Sequence, residues 1–232
     1  MKRSGAVPKG RVCRRRVNTK AKLGLFHTAG SHVPGFSALL RELAPEVEAE
    51  HVVLEDLLAE VRIQGGIDAA LAERFAASLT AFATSADAGL CTCSTFGAHA
   101  EKLGASLGKP VVRIDRPLAR EAVAQASRVV IVAALESTLE PTRALFEDEA
   151  ARTGRPVGFT LSHAADAWRW FEKGDERAYL HAVAAHVDSV AECGDVIALA
   201  QASMAGAEAL VQTSKPVLSS PKLGLQAALS QL

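Results

Sequence analysis

The sequence predicts an α/β fold of two similar lobes, each with a mostly parallel sheet, related by a pseudo-two-fold axis and enclosing an active-site cleft. Three observations point there. Short apolar runs alternate with longer amphipathic ones at βα lengths, the pattern of parallel sheets. The alternation restarts near residue 117. Two strand–turn–helix stretches carry a Lys-Pro pair at matching places, at Lys109 and Lys215.

Taken in order, Leu23–His27 reads as a strand, Pro34–Glu48 as a helix opened by Pro34, and His51–Leu54 as a strand. A helix follows Gly65-Gly66 and runs to about Ser85. Ala88–Cys93 is a strand, His99–Leu107 a helix, and Pro110–Ile114 a strand. The second series opens with a helix at Pro117–Ala126 and an apolar strand at Arg128–Ala134. Glu140–Thr153 is a helix with Pro141 in its first turn and Gly154 at its end, the expected asymmetry. Pro156–Leu161 is a strand, and Ala165–Glu192 a helical region broken near Gly174-Asp175. Asp195–Ala200, Ala205–Gln212, Val217–Ser219 and Leu225–Leu232 read as strand, helix, strand and helix.

The matching stretches are "LCTCSTFGAHAEKLGASLGKPVV" and "IALAQASMAGAEALVQTSKPVL". Their Lys-Pro pairs lie 106 residues apart, and the opening strands "LGLFHTAG" and "VVIVAALES" sit at about that offset, so the chain reads as a diverged internal repeat. We expect a basic disordered tail at 1–22, one lobe from 23–116 with 218–232, and a second from 117–217. Ligands of such sheets sit beyond the carboxyl ends of the strands.

Composition narrows the function. The 232-residue chain is 49% hydrophobic, enough for a substantial core. Its formal net charge is zero, with 26 bases and 26 acids, yet nine of the bases fall in residues 1–22, which hold no acid. The remainder is acidic, which argues against nucleic-acid binding by the folded body. The basic segment has no apolar core like that of a secretory signal, and no run of 18 apolar residues suits a membrane span. The four cysteines, 13, 91, 93 and 193, form no disulfide framework. A reducing, cytoplasmic setting is expected, and no metal-ligand spacing accompanies Cys91 and Cys93.

The chemistry-bearing segment is Gly89–Gly97, a strand end leading through small residues into a helix. A helix start offers unpaired N–H groups and a positive dipole end, which hold carboxylates and favour thiolates. Cys93 is therefore the candidate nucleophile or base. Cys91, in mid-strand, reads as a small core residue, and His27 as a satisfied strand histidine. Ser94 and Thr95 read as helix-capping hydroxyls, a role that does not exclude anion binding.

With "TCSTFG" in one half and "LAQASMAG" in the other, and with "HTAGSHVPGF", "LEPTRALFEDEA" and "KPVLSSPKLG" around them, the chain from residue 23 to 232 resembles the aspartate/glutamate/hydantoin racemase superfamily. The resemblance implies Rossmann- or flavodoxin-like lobes and cofactor-independent chemistry at the α-carbon of a small carboxylate substrate. In that family each lobe supplies a Cys, one thiolate removing the α-proton and the other thiol reprotonating the opposite face. The first-half pattern Cys-Asn-Thr reads Cys93-Ser94-Thr95 here, which assigns Cys93 as base and Ser94 and Thr95 as carboxylate binders. Thr28 and Thr138 fall in regions that touch substrate. A homodimer is common among such proteins.

The second-half pattern Cys-Thr-His reads Ala202-Ser203-Met204. Ser203 retains a hydroxyl, but Ala202 has no proton to give and Met204 does not replace a His. Racemisation by two bases needs an acid on each face of the intermediate. Three outcomes follow: another group such as His27 or His163 supplies the second acid; one base works on one face, as in the family's decarboxylases; or the protein binds a small acid without turnover.

Overall fold

The computed structural model describes residues 20–232; the basic stretch up to residue 19, with Cys13, lies outside the described residues. Strands β1 (Lys22–His27), β2 (Glu48–Val53), β3 (Ala88–Cys91) and β4 (Val111–Arg113) form a parallel sheet in the order β2-β1-β3-β4. Strands β5 (Arg128–Ala133), β6 (Gly158–His163), β7 (Val196–Leu199) and β8 (Val217–Ser219) form a second in the order β6-β5-β7-β8. The two sheets thus share one topology, as the sequence repeat predicts.

The central strands are apolar on both faces because helices cover both. In the first sheet, α1 (His32–Leu43) contributes Phe36 and Leu40 to a core with Leu23, Leu25 and Leu90. The other face carries α2 (Glu55–Gln64), α3 (Ala69–Ala83) and α4 (Ser94–Leu107), packed on Phe26 and Cys91. Around the second sheet lie α5 (Asp115–Gln125), α6 (Leu139–Thr153), α7 (Ala165–Glu172) and α8 (Glu176–Val190). The last helix is α9 (Ser220–Leu229).

Two connections cross between the sheets. Helix α5 follows β4, yet its Leu118, Ala119 and Ala122 pack with Val129, Ile131 and Ala198 of the second sheet. Helix α9 follows β8, yet Leu225 and Ala228 pack with Leu23, Leu25 and Leu90 of the first. The crossings meet where a Cβ on Gly224 would come within 2.8 Å of Ile114 Cγ1, so glycine allows the close approach. Arg116 of α5 reinforces the junction, binding both oxygens of Glu101 on α4 at 2.8 Å and reaching Asp148 and Glu149 on α6 at 2.8 and 2.5 Å.

Several elements depart from the sequence expectation. Helix α1 stops at Leu43 because Pro45 excludes Ala44 from helical backbone, and Glu48 already opens β2. Helix α2 was not anticipated; it buries only Leu57 and Val61 and ends at left-handed Gly65. Helices α4 and α9 each begin about five residues early, their small first-turn residues having read as turn. The expected helix at 205–212 is a 3-10 helix, Ala202–Ala209. Among the described residues no helix is long and apolar enough to cross a membrane.

Candidate active site

The residues singled out from the sequence follow the carboxyl ends of the inner strands of the two sheets. In the first sheet the register pairs Phe26 with Cys91 and closes with Thr92 N–H donating to Phe26 O at 2.9 Å. Thr28 follows β1 and Cys93 follows β3. In the second sheet Val132 pairs with Leu199 and Ala200 N–H donates to Val132 O at 2.9 Å. The turns that follow carry Thr138 on one side and Gln201, Ala202, Ser203 and Met204 on the other.

Cys93 is the N-cap residue of α4, with extended backbone (φ −111°, ψ 118°). Its side chain is buried beside Phe96, on the α3–α4 face of the sheet. It makes no side-chain cap bond, so the first N–H groups of α4 lack a thiol or hydroxyl cap. Ser94 is half-buried and Thr95 exposed, and neither hydroxyl bonds another described residue. Cys91 differs: it is fully enclosed, burial pushes its thiol pKa well up, and the S–H donates to Cys93 O at 3.4 Å. That agrees with a core role for Cys91.

Thr92 points to the opposite face and anchors a polar chain that the sequence did not reveal. Its hydroxyl donates to Phe26 O at 3.0 Å and contacts His27 Nδ1 at 2.9 Å. His27 Nε2 lies 2.9 Å from His51 Nδ1, and His51 Nε2 lies 2.9 Å from Ser37 Oγ. Because Thr92 spends its proton on Phe26 O, it accepts from His27 Nδ1–H; His27 Nε2 then accepts from His51 and His51 Nε2 from Ser37. Both His27 nitrogens are therefore committed, and the ring is fully buried. Desolvation, with His51 and His32 alongside, lowers its pKa to about 3. His27 is thus held neutral, with both ring nitrogens engaged inside the fold. The other candidate, His163, donates through Nε2 to Ala134 O at 3.2 Å.

In the second half, Ser203 Oγ lies 3.0 Å from the hydroxyl of buried Tyr179, and Met204 is enclosed in the α7–α8 core. Met204 is therefore packing and not site surface. Ala202 packs against the core of the first sheet. The strand register also corrects the motif alignment. Counting from the matched pairs Phe26–Cys91 and Val132–Leu199, the residue equivalent to Cys93 is Gln201, not Ala202. Gln201 caps its helix with the same extended backbone (φ −120°, ψ 136°). The motif alignment missed this because β1 and β5 repeat at 106 residues whereas β3 and β7 repeat at 108.

Thr138 is half-buried and its carbonyl accepts from the Thr142 hydroxyl at 2.8 Å; its own hydroxyl bonds no other described residue. The grooves between α1 and β2, about 290 Å³, and beside β4, α5 and α9, about 250 Å³, contain none of the expected site residues. Among the described residues no group of three His, Cys, Asp or Glu is placed to hold a metal ion.

Two parallel sheets of identical topology, joined by exchanged helices and with a cysteine at the N-cap position of a helix at one strand end, define a two-lobed α/β protein of the racemase type. Residues 31–228 match the family model for Asp/Glu/hydantoin racemases, and the chain belongs to that family. No curated protein matches it. Among solved structures it is similar to Picrophilus torridus aspartate racemase (TM-score 0.68, 10% identity, covering 90% of this chain and 93% of that one). It is similar to Thermus thermophilus glutamate racemase (TM-score 0.63, 20% identity, 91% and 80%). It is also similar to Pseudomonas fluorescens allantoin racemase (TM-score 0.62, 19% identity, 90% and 89%). At these identities the likeness is one of fold.

Proposed function

We propose that this protein is a cofactor-independent enzyme acting at the α-carbon of a small carboxylate-bearing substrate, an amino acid such as aspartate or glutamate or a related acid. Cys93 serves as the thiolate base. The observation that carries this reading is the position of Cys93 at the carboxyl end of an inner strand and at the start of α4, in a chain of the racemase family. Uncapped N–H groups there, with the hydroxyls of Ser94 and Thr95, suit a substrate carboxylate and the negative charge that develops on it. Thr28 and Thr138 line the adjoining strand ends, and Ser203 reaches from the second lobe.

The reaction comprises two proton transfers. The Cys93 thiolate takes the α-proton, the C–H electron pair passes into the carboxylate as an enediolate, and a proton returns to the carbon. Racemisation requires that return on the opposite face. A second reading, one-faced chemistry of the lyase type, is favoured by the absence of a thiol in the segment Gln201–Met204. We further assign the enzyme to the cytoplasm and to a homodimer, with lobe boundaries near residues 116 and 218.

Proton exchange tests the reading. Incubation with L-aspartate or L-glutamate in D2O should replace the α-proton, read by NMR, and Cys93→Ala should abolish the exchange. Binding without exchange would leave a carboxylate-binding protein in place of an enzyme.

A further inference from the structure

The second half of the repeat carries a polar side chain at the start of its 3-10 helix. Gln201 occupies the place equivalent to Cys93, and its environment is built. Its Oε1 accepts from Ala134 N–H at 2.7 Å and from Leu135 N–H at 3.0 Å. Two donors can only face the oxygen of a carboxamide, so the flip of the group is determined. The planar amide then turns its NH2 away from β5. That NH2 bonds no other described residue. The one buried side-chain N or O atom without a partner among the described residues is His32 Nδ1, so Gln201 Nε2 reaches solvent.

Ala134, which holds Gln201, stands 106 residues after Thr28 and follows β5 as Thr28 follows β1. The amide is therefore anchored on the turn after β5, the counterpart of the turn after β1 that carries Thr28. Two residues on, Ser203 Oγ is held by the buried Tyr179 hydroxyl. This half of the site thus presents an oriented amide donor and an oriented hydroxyl, and no acid. A carboxamide donates hydrogen bonds but does not surrender a proton to carbon at neutral pH.

We infer that Gln201 is a substrate-holding residue whose amide N–H donates to a substrate oxygen from the second lobe, and that this lobe binds the substrate without exchanging protons with it. Proton transfer then runs from the Cys93 face alone, with retention of configuration. The inference rests on the function proposed above and adds the identity and role of the second-lobe group.

Four variants test it, with L-aspartate and L-glutamate in D2O, exchange read by NMR and configuration by chiral chromatography. Gln201→Glu keeps an oxygen for the Ala134 and Leu135 N–H groups but replaces the donor, so the fold holds and the apparent KM should rise 10- to 100-fold, as for loss of a hydrogen bond to a charged group. Gln201→Ala should do the same. Gln201→Cys should add the missing acid and yield the opposite enantiomer, whereas Ala202→Cys, facing the first-lobe core, should not. Racemisation by the unaltered protein, enantiomer formation in Ala202→Cys but not Gln201→Cys, or an unchanged KM in Gln201→Glu would each overturn the inference while Cys93-dependent exchange still stood. Absence of both binding and exchange with the unaltered protein would overturn the underlying function, and this inference with it.

Discussion

His27 donates through Nδ1 to the Thr92 hydroxyl at 2.9 Å, and this one bond sets the direction of a polar chain that ends at Ser37. The buried ring is held neutral, with a pKa lowered to about 3, by desolvation first and by His51 and His32 next. In the unfolded chain the same imidazole takes up a proton near pH 6.5. The unfolded state therefore binds more protons across that interval, and stability falls as pH drops from about 6.5 towards 3. The full shift corresponds to a loss on the order of 5 kcal/mol. Urea titrations at pH 7, 5 and 4 should show this decline, and a His27→Asn variant, less stable at pH 7, should show a shallower one. An equal slope in both would remove His27 from the account.

Arg116 tests the junction between the sheets. Glu149 is almost fully buried, and Arg116 is its shortest ion-pair partner, with Arg120 and Arg152 at 3.4 and 3.8 Å. Arg116→Ala leaves Glu149 poorly compensated and releases Glu101. Chemical denaturation should show a loss of about 2 kcal/mol or more. Glu101→Gln removes only a partly exposed partner and should lose less than about 1 kcal/mol. Equal losses would mean that Glu149 does not depend on Arg116.

Gly97 lies in the first turns of α4, where a Cβ would come within 2.9 Å of Arg113 Nε and 3.0 Å of Arg113 Cβ. Arg113 has little freedom to retreat, since its Nε and Nη2 are fixed on both oxygens of buried Asp115 at 2.6 and 2.7 Å. Gly97→Ala should therefore destabilise the fold by about 1–3 kcal/mol, despite the better helix propensity of alanine. A melting temperature equal to or above that of the unaltered protein would contradict this packing.

The paired topology was legible because each half buries its inner strands completely, which writes continuous apolar runs such as Val129–Ala133 into the sequence. Helix α2 was not, because two buried residues in ten make a weak stripe. Cys93 was legible as a thiol followed by hydroxyl residues at a strand end. Gln201 was not, because the equivalence of two strand ends depends on register, and β7 lies two residues further from β5 than β3 does from β1. The hydrogen bonds of His27 are long-range, to partners 24 and 65 residues away, and nothing local in the sequence announces them.

The two neighbouring thiols should behave differently. Cys91 is enclosed, pairs with Phe26 in the register and donates to Cys93 O. Cys91→Ala should fold with a loss of about 1–2 kcal/mol and keep the enzyme's proton exchange within several-fold. Exchange lost with Cys91→Ala but retained with Cys93→Ala would transfer the base to the wrong residue for this account.

The central claim is that Cys93 moves a proton at the substrate α-carbon. The direct measurement is the rate of α-deuterium incorporation into L-aspartate and L-glutamate in D2O by the unaltered protein and by Cys93→Ala. The account predicts incorporation that falls by a factor of about 10² to 10⁴ in the variant, the usual worth of a general base. Incorporation at equal rates in the two proteins, or none with a bound substrate, would contradict it.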